Sequence, residues 1–195
     1  MRKPYLLILS FIICITASAQ KPSRTATLDY INKIIAEAID FKIQYKDDPD
    51  PNVLTKSYLK EFSKLSYENK KYSIGFTEKY EKDESGRVYK RSFYFSTINF
   101  KKMTNMEVSD YSTNQTTKPA SVVKFLVITL EYKTITRRKR FWRDDEYKEI
   151  TDETFLSTYV LIPFLTNDPD NETRLRRAFL RLQELDSEDK DLFLD

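Results

Sequence analysis

Two segments with helical periodicity enclose a long central region of alternating apolar residues, and this order constrains the fold more than any other feature. The first helical pattern covers residues 28–39 and the second is centred on residues 175–185. From about residue 58 to residue 163 the pattern is typical of β-strands, about seven in number. Because no helical pattern separates the strands, the sheet is expected to be mostly antiparallel. The sequence therefore predicts an α+β domain with a curved sheet or a partly open barrel.

The two expected helices each carry one apolar stripe. In the first helix, which is expected to start at Thr25 or Thr27, the stripe is formed by Leu28, Ile31, Ile35 and Ala38. The second helix is expected to have Asp168 as its cap and Pro169 at its first position. Its stripe predicts the face that packs on the sheet, with Leu175, Ala178, Phe179, Leu182 and Leu185.

The clearest strand pattern predicts a long hairpin. One face of the first strand has Tyr72, Ile74, Phe76 and Tyr80, and Glu78 interrupts that apolar face. A turn at residues 83–86 follows, and the returning strand places Tyr89, Phe93 and Phe95 on one face. Further strands are expected within residues 98–108, 121–132 and 154–164, and a polar loop at residues 113–120. The last two of these strands have apolar residues on both faces, which indicates buried positions in the sheet.

The N-terminus has the pattern of a secretory signal peptide. Arg2 and Lys3 precede a short apolar run at residues 5–15, and small residues at 17–19 precede Gln20. The run is shorter than the roughly 20 residues that a membrane-spanning helix needs. We therefore expect cleavage after residue 19, export to the periplasm or the extracellular space, and no transmembrane span after signal removal. A single α+β domain is expected over residues 20–186, followed by an acidic tail at residues 187–195.

The single cysteine, Cys14, lies within the apolar run of the expected signal peptide. A lipoprotein acceptor needs a small residue directly before its cysteine, and Ile13 occupies that position. Lipidation is therefore the minor alternative to simple cleavage. The mature chain has no cysteine, so its fold must be stabilised by its core without disulfides.

The composition excludes several classes of function. The chain has no histidine, which excludes a Ser-His-Asp triad, a Cys-His dyad and an imidazole metal site. Its two glycines, Gly75 and Gly86, cannot form a glycine-rich phosphate loop. Loss of Arg2 and Lys3 brings the net charge of +3 close to zero. This balance and the expected export argue against binding to nucleic acid.

The carboxylates form no recognisable metal or catalytic motif. Asp48, Asp50 and Asn52 alternate as in some calcium loops, but Val53 stands where such a loop has glycine. Residues 47–52 are therefore interpreted as a solvated turn, and no metal or cofactor is expected. Glycoside hydrolysis needs two facing acids, and no spacing among the 30 acidic residues indicates a pair. A hydrolase-type enzyme that uses carboxylates or lysine on a β scaffold remains the alternative function.

The most distinctive segment has five cations and two aromatic residues at positions 137–143. Such a segment can bind phosphate, sulfate or lipid headgroups, and its tryptophan can stack or lie at a membrane interface. The candidate contacts are Arg137, Arg138, Lys139, Arg140, Trp142 and Arg143.

In a strand, alternation sends the side chains of this segment to two faces. One face has Arg138, Arg140 and Trp142, and the other has Arg137, Lys139, Phe141 and Arg143. Because a strand buried on both faces cannot accept so many cations, the segment is expected at a sheet edge or in a protruding hairpin. A merely solvated edge, neutralised by the acids at residues 144–146, is the alternative interpretation.

The order of the segments also resembles known proteins. The chain has TLDYINKII at residues 27–35, LSTYVLIPF at residues 156–164, a short acidic turn, and RLRRAFLRL at residues 174–182. This order is similar to that of small uncharacterised exported proteins of Gram-negative bacteria. About seven strands followed by one amphipathic helix also resembles the pleckstrin-homology-like barrel, in which the last helix closes a bent sheet.

The resemblance implies a fold but no catalytic residues. Pleckstrin-homology helices commonly carry a tryptophan, whereas Trp142 lies outside the final helix pattern. A lipocalin-like barrel or another curved-sheet α+β fold therefore stays open. The function expected from the residues themselves is a non-catalytic binding or interaction module of the bacterial envelope, whose partner is an unidentified protein or an anionic surface.

Overall fold

The computed structural model describes residues 21–45, 55–81, 88–109, 123–143 and 148–189. Within these ranges the chain forms an α+β fold with two helices, α1 (Arg24–Glu37) and α2 (Asn171–Glu188). It has nine strands, so the expected number of about seven was too low. The strands are β1 (Lys42–Tyr45), β2 (Thr55–Glu68), β3 (Lys71–Glu81), β4 (Val88–Ile98), β5 (Met103–Ser109), β6 (Val123–Leu130), β7 (Ile135–Arg143), β8 (Lys148–Ser157) and β9 (Tyr159–Leu165).

The strands form two antiparallel sheets, as the order of the sequence patterns predicts. The first sheet has the order β1-β2-β3-β4-β7-β8, and the second has the order β5-β6-β9. In the part of the chain that the structure describes, the hydrogen-bonded ladders do not join the two sheets into a closed barrel. Within the described ranges, the chain passes between the sheets at the 3₁₀ turn Phe100–Lys102, at residues 131–134 and at Thr158.

The strand expected within residues 154–164 is in fact two strands in different sheets. The division lies at Thr158, between β8 and β9. The buried hydroxyl of Ser157 donates to the carbonyl oxygen of Tyr159 at 3.0 Å and accepts from its N–H at 3.1 Å. These side-chain bonds satisfy the backbone where the chain leaves one ladder for the other. They also fix the position of Tyr159 at the start of β9.

The predicted hairpin is confirmed as β3 and β4. Phe76 lies opposite Phe93 in this ladder, and Glu78 lies opposite Arg91. Tyr72, Ile74 and Phe76 are buried, as the alternation predicts. The residues expected to form its turn, 83–86, lie outside the described ranges.

The predicted apolar face of the last helix is also confirmed. Leu175, Ala178, Phe179 and Leu182 are buried, and Leu185 is partly buried against the core. The helix begins at Asn171, two residues later than the expected start at Pro169.

The late start of α2 has a local cause. The Asp168 carboxylate accepts from the N–H of Asp170 at 2.9 Å and from the guanidinium of Arg174 at 3.0 Å. Asp168 therefore stabilises the turn before the helix instead of capping the helix itself. At the other end of the chain, α1 begins slightly before the expected position, with Ser23 as its N-cap.

A cluster of polar side chains connects both helices to one end of the first sheet. The Tyr72 hydroxyl at the start of β3 donates to the Asp186 carboxylate at 2.6 Å. Arg24 of α1 donates to that hydroxyl at 3.1 Å and bridges to Asp186 and Asp189 at 3.1 and 2.7 Å. Burial raises the pKa of both Tyr72 and Asp186. The helices therefore occupy one end of the strands, and the polar residues of the inner face lie toward the other end.

Several sequence-based expectations concern residues outside the described ranges. These are the signal peptide at residues 1–19 with Cys14, the turn at residues 47–52, the polar loop at residues 113–120 and the acids at residues 144–146. The described helices include none that is long and apolar enough to cross a membrane. Helix α2 continues to Glu188, so residues 187 and 188 of the expected tail are helical.

Candidate functional site

The basic segment forms most of β7, but β7 is not at the edge of the sheet. It pairs with β4 on one side and with β8 on the other, so the expectation of an edge strand or protruding hairpin was wrong. The physical reason is that the two faces of β7 meet different surroundings. The outward Arg138 and Arg140 reach solvent and a carboxylate on β8, whereas the inward Arg137 lies among aromatic rings. The strand therefore tolerates its charges without being an edge.

On the outer face of β7, one aspartate lies close to both arginines. Both Nε and Nη2 of Arg138 donate to the Asp152 carboxylate on β8, the first to Oδ1 at 2.8 Å. The Nε of Arg140 lies 3.7 Å from Oδ2 of the same residue. The Arg140 guanidinium lies 5.9 Å from the ring centre of Trp142, as alternation predicts for residues on one face. Arg138 holds the pKa of Asp152 below its usual value.

A shallow depression of about 430 Å³ lies on the same outer face. Gly75 lines this depression, and a Cβ atom there would come within 2.9 Å of the ring of Tyr94. Arg138 and Arg140 line one side, and Glu61 lines the depression as well. At this depression, Glu61 and Asp152 therefore offset the charge of the two arginines.

Replacement of Arg138 with glutamine is expected to raise the pKa of Asp152 toward its usual value. The reason is that the bidentate guanidinium favours the charged carboxylate. A lowered carboxyl pKa contributes stability that is present above the unfolded-state pKa and is lost as the pH falls. The wild-type protein should therefore lose more stability on acidification than R138Q. Carbon-detected NMR titration of Asp152 measures the shift directly, and R174Q should leave it unchanged; an equal Asp152 pKa in wild type and R138Q would contradict the prediction.

The inner face of β7 presents a buried arginine inside a group of aromatic rings. Arg137 is 8% exposed. Its guanidinium carbon lies 4.9–5.6 Å from four ring centres, and its Nη1 donates to the hydroxyl of Tyr159. Among the described residues, its Nε has no hydrogen-bond partner. We call this cluster the Arg137 site; it consists of Arg137, Phe93, Phe95, Phe155 and Tyr159.

A buried ion pair lies next to the Arg137 site on the inner face. Glu78 is 1% exposed, and its Oε2 accepts from Nε and Nη2 of Arg91 at 3.2 and 3.0 Å. The Arg91 guanidinium lies 5.2 Å from the ring centre of Phe93, a ring that Arg137 also contacts. Glu78 is thus a buried acid with a buried basic partner. Its bonds to Arg91 leave Arg137 without an acidic partner in this part of the chain.

The inner face continues beyond these arginines with further basic and aromatic residues. Lys139 is partly buried and lies opposite Phe93 in the β4–β7 ladder. The rings of Tyr89 and Phe141 stack with their centres 5.4 Å apart and their planes at 6°. Glu153 of β8 lies opposite Lys139 in the β7–β8 ladder, so this face combines basic, acidic and aromatic residues, in contrast to the apolar part of the same sheet beneath the helices.

Sequence reasoning identified part of this site and missed the rest. It placed Arg137, Lys139 and Phe141 on one face of a strand, and the structure confirms that grouping. It missed the burial of Arg137 and the involvement of Glu78 and Arg91. One signal was available, because Glu78 interrupts an apolar face on one arm of the predicted hairpin. Of the candidate contacts, Arg137 and Lys139 lie on the inner face and Arg138, Arg140 and Trp142 on the outer face, so they do not form one surface. Arg143 is the last residue of β7.

A second concave surface of about 700 Å³ lies between α1 and α2. Its lining includes the apolar residues Tyr30 and Leu180 and a rim of basic side chains. Most of that rim is paired within the helices and their termini. Lys21 bridges to Glu184 at 3.2 Å, Arg174 to Asp168 at 3.0 Å, and Arg181 to Glu184 at 2.9 Å. Its charge is therefore balanced locally, unlike that of the Arg137 site.

The described residues bring together no group of three metal-ligating side chains. Searches against family models, curated proteins and solved structures gave no match. The arguments for function therefore rest on the geometry and charge of this chain alone.

Proposed function

We propose that the protein is a non-catalytic binding module that holds an anionic ligand at the Arg137 site. The observation that carries this proposal is a buried arginine, 8% exposed, whose guanidinium has no carboxylate partner among the described residues. Arginine does not lose its charge in proteins, and burial of an uncompensated charge is costly. The aromatic faces offset part of that cost, but they accept no conventional hydrogen bond from Nε. A bound anion supplies both the missing charge and the missing acceptor.

The proposed setting of this module is the periplasm or the extracellular space. Support comes from the signal-peptide pattern of residues 1–19, with its basic start, short apolar run and small residues before Gln20. A pleckstrin-homology-like arrangement is part of the proposal, with a lipocalin-like fold as the alternative. Its support is the order of the elements, in which a terminal helix buries its apolar face against a strand-rich core.

The test of anion binding is the thermal stability of the purified protein in different sodium salts at equal ionic strength. Acetate, benzoate, sulfate and phosphate are compared with chloride. A ligand that binds only the folded state stabilises it by about 2.7 kcal/mol at roughly 100 times its dissociation constant. At least one of the four anions is expected to raise the melting temperature in a saturable way.

Two variants decide whether that response comes from the Arg137 site. R137M removes the charge but keeps a long apolar side chain, and it should abolish the response. R138Q is the matched control, because it changes the adjacent residue on the outer face of the same strand, and it should respond like the wild-type protein. An equal response in wild type and R137M, or no response to any anion, would refute the proposed function.

A further inference from the structure

Within this proposed function, on which the inference rests, we infer that the ligand is a carboxylate attached to a small apolar or aromatic group. The adjacent arginine provides the geometric template. Arg138 uses its Nε and Nη2 to hold both oxygens of the Asp152 carboxylate. Arg137 uses Nη1 for the Tyr159 hydroxyl, whereas its other edge, with Nε and Nη2, makes no hydrogen bond to a described residue, and Nε itself is buried. That edge is a planar two-donor fork, which matches the two oxygens of one carboxylate.

The surroundings of Arg137 favour a carboxylate over sulfate or phosphate. Four aromatic rings, from β4, β8 and β9, surround the guanidinium, and the Tyr159 hydroxyl is already used as an acceptor. A tetrahedral oxyanion has more oxygens to satisfy than one open fork can reach. Removal of a strongly hydrated anion from water is unfavourable where few donors replace that water. A carboxylate needs only the fork, and the rings provide apolar contacts for the rest of the molecule.

The position of Phe155 indicates how such a ligand reaches the arginine. Phe155 belongs to β8, an edge strand of the first sheet, and it lies opposite Arg137 in the β7–β8 ladder. Its ring contacts the guanidinium at 5.1 Å yet is 41% exposed. One ring in contact with the buried charge is therefore itself partly in solvent, at an edge of the sheet. Lys139, the next inward residue on β7, lies opposite Glu153 of β8 on the same face.

The test measures the affinity of defined probes for the purified protein by calorimetric titration. Benzoate is the carboxylate probe, benzyl alcohol is its neutral counterpart, and sodium sulfate is the tetrahedral anion. The wild-type protein is expected to bind benzoate in a one-to-one complex, with at least about tenfold higher affinity than it has for benzyl alcohol or sulfate. Intermolecular nuclear Overhauser effects should connect the benzoate ring protons with the rings of the Arg137 site.

The decisive variant is R137K, which keeps the positive charge but loses the planar fork. It is expected to lose at least about tenfold in benzoate affinity, whereas R138K, the same change on the outer face, should bind like the wild-type protein. Melting curves and near-UV circular dichroism establish that both variants are folded. R137M provides a second variant if R137K does not fold.

The possible outcomes separate the inference from the proposed function. Tight benzoate binding that depends on the Arg137 fork supports both. Binding of sulfate or phosphate in preference to benzoate, still lost in R137M, overturns the carboxylate inference and leaves the proposed function standing. Equal benzoate affinity in wild type and R137K overturns the bidentate geometry. No Arg137-dependent binding of any anion overturns both.

Discussion

Replacement of Phe179 with alanine is expected to lower the free energy of unfolding by about 3–5 kcal/mol. Phe179 is 0% exposed, and its ring centre lies 5.1 Å from that of Phe100. Phe100 belongs to the 3₁₀ turn through which the chain passes from the first sheet to the second. Because the ring joins α2 to this crossing point, its surroundings cannot easily collapse into the void that alanine leaves. Chemical denaturation of wild type and F179A measures the difference.

The matched control for this experiment is Leu180→Ala on the same helix. Leu180 directly follows Phe179 but is 46% exposed. Alanine has at least as high a helix propensity as leucine, so this substitution should leave the helix itself intact. We expect a much smaller loss than for F179A. Losses of similar size in the two variants would mean that α2 is not docked through the face that Phe179 occupies.

Local periodicity was sufficient to predict the two helices and the first hairpin. The spacing of Leu175, Phe179 and Leu182 identifies the buried face of α2 without knowledge of its partner. In β3 and β4, alternation identifies Tyr72 and Phe93 as inward residues in the same way. These predictions held because they depend only on which residues of one element share a face.

The pairing of β7 could not be predicted in this way because it depends on contacts distant in sequence. An edge position was expected because a strand buried on both faces cannot accept so many cations. That expectation did not include the carboxylate that a neighbouring strand provides. Asp152 lies 14 residues after Arg138, on a strand whose register the sequence does not reveal. The change of sheet at Thr158 was missed for a related reason. No glycine or proline marks a turn there, and the apolar pattern continues through it.

The Glu78–Arg91 pair and the Arg137 site were missed because charged residues on a buried face were interpreted only as interruptions of its apolar pattern. Glu78 breaks the apolar alternation of β3, and Arg91 falls on the same face of β4 as Phe93. In a hairpin, opposite charges on facing positions indicate a pair that can be buried together. The same reasoning cannot identify Arg137 as unpaired, because that conclusion requires the positions of all nearby acids.

Replacement of Glu78 with leucine is expected to cost about 3–5 kcal/mol, since removal of one partner leaves the other as a buried, uncompensated charge. Arg91 would then lie beside Arg137, with the ring of Phe93 in contact with both guanidiniums. R91L should be destabilised as well, because it leaves the carboxylate of Glu78, 1% exposed, without this guanidinium. Urea denaturation of the two single variants and of E78L/R91L completes a double-mutant cycle.

The double variant is expected to regain most of the stability lost in each single variant. Replacement of a buried ion pair by apolar residues of similar volume is often neutral or stabilising, because neither charge then needs to leave water. A double variant whose loss equals the sum of the two single losses would show that Glu78 and Arg91 do not stabilise each other. The same variants also test whether the Arg137 site functions independently of this ion pair. E78L/R91L retains Arg137 and its open fork, so its stabilisation by benzoate should equal that of the wild-type protein.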